Sequence, residues 1–190
     1  MEIYLVRHTE TVAEKGICYG QTNLDIKSPF VNQFNKIKSK FPDEDYLVYT
    51  SPLIRCIKLA EFFSPNKYII DSYLQELNFG DWENKAWNNI PEQELTIWMN
   101  DFVNQSPPKG ESFTELHARV QLFIKEKLLK NTGKLKVVII THAGVIRSFL
   151  CHILNLPLKN AFRISIEFGS VTHIEMNVNS DRNKLIFLNK

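Results

Sequence analysis

Residues 136–154, KVVIITHAGVIRSFLCHIL, hold a sharp change of pattern. KVVIIT is an almost unbroken β-branched run, the signature of a strand buried on both faces. From His142 onward a small-residue turn leads into VIRSFLCHIL, which reads as a buried helix. A strand running straight into a helix places His142 at the strand's carboxyl end. The same kind of transition occurs twice more: EIYLV (2–6) stops on Arg7 and His8, and YLVYT (46–50) runs into SPLIRCIKLAEFF (51–63). Such repeated units predict an α/β fold, a three-layer α/β/α arrangement around a mostly parallel central sheet.

Outward from these units, Ser51 is expected to cap a helix and Pro52 to fill its first position, which puts Arg55 in the first turns. ESFTELHARVQLFIKEKLL (111–129) reads as a long helix, with Ser112 and Glu115 at capping-box spacing. AFRISIEFGSVTHIEMNV (161–178) and KLIFLN (184–189) read as a strand pair around Phe168 to Ser170 and a final strand. The stretch from about 78 to 108 carries Trp82, Trp87 and Trp98 and a modest helix around EQELTIWMNDF (92–102). It is expected to be an excursion over the active site, its tryptophans packing onto the sheet, within one domain spanning 1–190.

Bulk properties narrow the function classes. The chain has 44% hydrophobic and 23% charged residues and a formal net charge of +2, so no broad field draws it to nucleic acid or an anionic membrane. The basic run KNTGKLK (130–136) reads as a solvated helix end and turn. Cys18, Cys56 and Cys151 are odd in number and widely spaced, which suits a reducing cytoplasm rather than a disulfide framework or zinc knuckle. Neither a secretory leader nor a membrane span is expected.

In open α/β sheets ligands bind beyond the carboxyl ends of the strands, where Arg7, His8 and His142 fall, with Arg55 one helix start away. Two histidines, two arginines and helix N-terminal amides suit a small, doubly charged anion, and phosphate is the obvious candidate. A neutral imidazole whose other nitrogen is held by an acceptor is a competent nucleophile for phosphorus. The arginines would neutralise the equatorial oxygens without a metal ion or other cofactor, leaving a carboxylic acid to protonate the leaving alkoxide.

LVRHTET (5–11), YTSPLIRCIKLA (49–60), LQELNFGDWE (74–83) and THAGVIR (141–147), in this order, resemble the signature segments of the histidine phosphatase superfamily, which has the phosphoglycerate mutase-like fold. The resemblance spans nearly the whole chain. It implies that His8 is the phosphorylated nucleophile, that Arg7 and Arg55 clamp the phosphate, and that His142 completes the pocket. It also implies that Glu76 protonates the leaving oxygen and then activates water. Gln21, after the CYG turn, is a candidate contact for the ester.

VRHTET followed by GICYGQTNLD, with GESF further on, is similar to the α-ribazole phosphatases of cobalamin nucleotide-loop assembly. That similarity implies α-ribazole-5′-phosphate as the small-molecule partner. Rival expectations are another small ester such as a sugar phosphate, a phosphoglycerate mutase-type phosphotransferase, or a phosphate-binding module without turnover. A metallohydrolase using His8, Glu10 and His142 is disfavoured, because Arg7 and Arg55 would repel a cation at the same place. The chain departs from the family pattern at Thr9, Glu14, Asn84 and Lys109, where Gly, Asn, Gly and Gly are common. Glu14 is expected to point away from the anion, whereas Asn84 and Lys109 bear on how the excursion closes. Oligomeric state is not legible in the sequence.

Overall fold

The computed structural model describes residues 1–41, 45–130, 136–177 and 180–190, so most of the basic run at 130–136 lies outside the described residues. Six strands form one sheet: β1 (Glu2–Arg7), β2 (Leu47–Thr50), β3 (Tyr68–Ile70), β4 (Lys136–Thr141), β5 (Val171–Glu175) and β6 (Lys184–Phe187), in the order β3-β2-β4-β1-β5-β6. The first four run parallel, and β5 and β6 close one side antiparallel. The helices are α1 (Val31–Lys38), α2 (Ile54–Phe63), α3 (Glu92–Asn100), α4 (Phe113–Phe123) and α5 (Ala143–Ile153).

The strand period of two divides the core between the faces. Ile3 and Leu5 of β1, with Val137 and Ile139 of β4, join the layer built by α4, α5 and the excursion. Tyr4, Val6, Val138 and Ile140 join the opposite layer, where Phe34 and Ile37 of α1 and Cys56, Leu59 and Ala60 of α2 pack. The molecule is therefore the three-layer α/β/α arrangement that the strand runs predict.

Helix starts follow local chemistry where a cap exists. Ser112 Oγ accepts the Glu115 N–H while Glu115 accepts from the Ser112 N–H, the reciprocal box expected at α4. At α2 the expectation is corrected: the helix begins at Ile54 after Leu53, without a side-chain cap, and Pro52 precedes it. Ser51 instead continues the strand, donating its N–H to Ile140 O (3.0 Å), and its hydroxyl turns to His142.

The strand expected just before Phe168 is also corrected. Leu158–Arg163 is a 3₁₀ turn and residues 164–170 are irregular, with Gly169 at φ +67°. Backbone groups of this segment are taken by side chains instead of a ladder: Ile164 O by Arg147 Nε (2.9 Å), Ser165 O by Asn189 Nδ2 (2.7 Å) and Ile166 O by Arg7 Nη1 (2.5 Å). In the stretch 78–108, Trp82 and Trp98 are buried in the core layer beneath α4 and α5, whereas Trp87 is half-buried and faces a cavity. Among the described residues no helix is long and apolar enough to cross a membrane.

Candidate active site

Register explains why residues distant in sequence meet. Arg7 pairs with Thr141 and Thr50 with Ile140, so β1, β2 and β4 end side by side. The next residues, His8, Ser51 and His142, emerge together. His8 N–H donates to Thr141 O (3.1 Å), and the His8 and His142 ring centroids lie 5.0 Å apart.

Both histidines are almost wholly buried. Burial, reinforced by Arg55 and Arg7, holds His8 well below the usual imidazole value. Its Nδ1–H donates to Thr9 O (2.7 Å), which leaves Nε2 bare. His142 is likewise held neutral by burial and by Arg55. Arg55 Nε–H donates to His142 Nδ1 (3.3 Å), so Nε2 carries the proton and donates to Ser51 Oγ (2.8 Å).

Arg7 and Arg55 are both fixed by backbone carbonyls, Arg7 by Ile166 O, rather than by ion pairs with carboxylates among the described residues. Arg55 Nη1 and Nη2 donate to Thr22 O (2.8 Å) and Gly20 O (2.6 Å), and Arg7 lies under the Phe168 ring, 3.5 Å from its centroid. Arg7 Nε is buried without a partner. Burial pulls Arg7 below its ordinary value, opposed by Tyr19 and Glu76. Two guanidinium groups without a salt-bridged carboxylate make an electrostatic setting that suits an anion.

Glu76 stands across the N-terminus of α5. Its Oε1 and Oε2 accept the Gly144 N–H at 3.1 and 3.2 Å, and Oε1 also accepts from the Leu77 N–H (2.9 Å). The approach needs a glycine, since a Cβ on Gly144 would sit 2.4 Å from Glu76 Oε1. Arg7, Glu76, Ala143, Gly144, Phe79 and Trp87 are among the groups lining a cavity of about 180 Å³.

The remaining sequence candidates are placed as follows. Gln21 lies beside the site, but its Nε2 donates to Glu76 O (2.9 Å). Glu14 is exposed, and Glu10 faces solvent 3.8 Å from Lys27, so the alternative metal trio does not converge. Asn84 and Lys109 adopt φ +64° and +58°, the left-handed conformation that glycine would take, so the backbone path is the one a glycine allows. Thr9 is buried with its hydroxyl unpartnered. Cys18 is buried, and burial with nearby Glu83 pushes its thiol up to about 12, away from thiolate chemistry.

Three side chains beside these residues were not among the sequence candidates for the site. Ser51 orients His142. Arg119 donates to Tyr73 O (2.7 Å) and Glu76 O (3.0 Å) while pairing with Glu111 at 2.6 Å, and so secures the backbone at Glu76. Arg147, one turn beyond Gly144, lines the cavity with its Nε bound to Ile164 O; it stands in THAGVIR, where its motif position was the available signal.

The family model of the histidine phosphatase superfamily (branch 1) matches residues 3–189. A Hydrogenobacter thermophilus protein provisionally named phosphoserine phosphatase 2 is 26% identical over 196 residues, covering 99% of this chain and 95% of its own. The adenosylcobalamin/alpha-ribazole phosphatase of Escherichia coli is 23% identical over 185 residues, covering 93% of this chain and 91% of its own. Among solved structures, the alpha-ribazole phosphatase from Shigella flexneri superposes with a TM-score of 0.90 at 24% identity, covering 100% of this chain and 96% of that one. Because the family match runs almost end to end, this chain belongs to the histidine phosphatase superfamily and is a phosphatase.

Proposed function

We propose that this phosphatase is a metal-independent phosphomonoesterase that passes the phosphoryl group through His8, with α-ribazole-5′-phosphate as its ester. The observation that carries the mechanism is the 2.7 Å bond from His8 Nδ1–H to Thr9 O, which leaves Nε2 unprotonated on a buried imidazole that has Arg55 and Arg7 nearby. Attack forms the Nε2–P bond as the P–O bond to the leaving group breaks, and Glu76 in its acid form gives that oxygen its proton. Water then attacks phosphorus and passes a proton to Glu76 as the Nε2–P bond breaks, releasing inorganic phosphate. Arg7 and Arg55 neutralise charge on the equatorial oxygens throughout.

Support for the ester comes from the motif similarity, from the relatives named α-ribazole phosphatases, and from the apolar walls of the cavity, which include Ile17, Tyr19, Phe79, Trp87 and Phe162. Arg147 favours a second reading, a phosphorylated amino or hydroxy acid. It is half-buried and faces the same cavity, and no carboxylate pairs with it among the described residues. A carboxylate on the leaving group would supply that partner.

The test is rapid-quench mass spectrometry in EDTA with α-ribazole phosphate, phosphoserine and ribose 5-phosphate. The expected result is phosphate on the His8 peptide and fastest turnover with α-ribazole phosphate. Fastest turnover with phosphoserine, lost in Arg147→Leu, would establish the second reading. Turnover that EDTA abolishes, with His8 unmodified, would overturn the mechanism.

A further inference from the structure

Glu83 ends the 3₁₀ turn Gly80–Trp82, and among the described residues no basic side chain is ion-paired with it. Its carboxylate is held by uncharged donors instead. Oε1 accepts the Gln21 N–H (2.8 Å) and the Phe79 N–H (3.1 Å), and Oε2 accepts the Thr22 hydroxyl (2.5 Å). The loop comes so close that a Cβ on Gly20, at φ +33°, would sit 2.3 Å from Oε1 and 2.7 Å from Leu77 O.

The loop held in this way carries both halves of the chemistry. Its Gly20 and Thr22 carbonyls receive the Arg55 guanidinium, Asn23 Oδ1 accepts the Ile54 N–H (2.8 Å) at the start of α2, and Gln21 Nε2 reaches Glu76 O. Glu83 is thus one hydrogen-bonded link from the phosphate clamp and one from the acid. A further negative charge beside a phosphate site opposes anion binding by Coulomb repulsion, so its presence calls for a compensating role.

We propose that Glu83 is a positioning residue that latches residues 20–22 against the acid-bearing segment, so that Arg55 and Glu76 are set relative to each other by a single carboxylate. The inference rests on the roles of Arg55 and Glu76 proposed above. Glu83→Ala leaves the Gln21 and Phe79 N–H groups and the Thr22 hydroxyl without their acceptor, and the loop relaxes on both sides. Glu83→Gln keeps an oxygen for the two N–H groups and offers an amide N–H to the Thr22 hydroxyl, which can turn to accept it.

The experiment measures the inhibition constant of inorganic phosphate, turnover of an alkyl and an aryl phosphate, and the melting temperature, for wild type, Glu83→Ala and Glu83→Gln. In Glu83→Ala the phosphate constant should rise, reporting Arg55. Alkyl turnover should fall by roughly tenfold to a hundredfold. Aryl turnover should fall less, because its leaving group needs little protonation. Glu83→Gln should restore all three readouts to near wild type. Should the alanine variant melt too low to assay, Thr22→Val removes the Oε2 bond, together with the bond that the same hydroxyl accepts from Asn84 Nδ2 (3.2 Å), while keeping both N–H bonds to Oε1, and should shift the same ratios in the same direction. Equal losses on both esters with an unchanged phosphate constant would reduce Glu83 to a stability role and overturn the proposal. Equal damage in the Gln variant would overturn it too, by assigning the effect to charge. Failure of the underlying mechanism is read separately, on unmutated enzyme, as the absence of phosphate on His8.

Discussion

Replacing Gly144 with alanine tests whether the position of the Glu76 carboxylate governs turnover. The added Cβ would lie 2.4 Å from Glu76 Oε1, whereas its next neighbours, Glu76 Cδ at 3.4 Å and Leu116 Cδ1 at 3.5 Å, are at ordinary contact distance. Only the carboxylate has to give way, by about 1 Å, and in doing so it stretches the Gly144 N–H bonds now at 3.1 and 3.2 Å. A misplacement of about 1 Å at a catalytic group can cost on the order of a hundredfold in rate. Alanine is also favoured over glycine within helices by up to about 1 kcal/mol, so the fold should not weaken. Steady-state kinetics on an alkyl phosphate should show kcat down by roughly that factor, 4-nitrophenyl phosphate should lose much less, and the melting temperature should hold. An unchanged alkyl kcat, or equal losses on both esters, would refute the reasoning that this helix start aims the acid.

Acid should destabilise the protein through its buried imidazoles. His8 and His142 have folded values well below 6.5, so their contribution is complete above about that pH and is lost as pH falls, by up to about 1.4 kcal/mol per histidine per unit. Urea midpoints compared at pH 7.5 and 5.5 check this, and a flat profile would contradict it. Arg119→Met strands the part-buried Glu111 carboxylate and frees two carbonyls, with an expected cost of about 3 kcal/mol. Adding Glu111→Gln should return part of that stability, as a double-mutant cycle by chemical denaturation would reveal. His8→Ala should keep its fold by circular dichroism and lose turnover and phosphate incorporation together; near wild-type turnover would remove His8 as nucleophile.

What the sequence by itself determined is local in origin. Unbroken apolar runs ending on Arg7, His8 and His142 marked strands and their carboxyl ends, because strand periodicity and burial are written in neighbouring residues. Ser112 and Glu115 announced their helix start because a capping box spans only four consecutive residues. Glu76 was singled out through resemblance alone, since a single acid among 21 Asp and Glu has no local signature.

Tertiary structure decided whatever depended on partners far apart in the chain. Ser51 caps no helix because parallel register delivers its hydroxyl to His142, 91 residues away. The stretch from 164 to 167 has strand-like composition yet stays irregular, because Arg7 and Arg147 arrive from other elements to take its carbonyls. Glu76 is aimed by the N–H of Gly144, and the backbone of Glu76 is held by Gln21 and Arg119, contacts that only the packed fold assembles. Side-chain periodicity and caps act over a few residues, whereas a site built on hydrogen bonds spanning tens of residues exists only once the sheet has set its register.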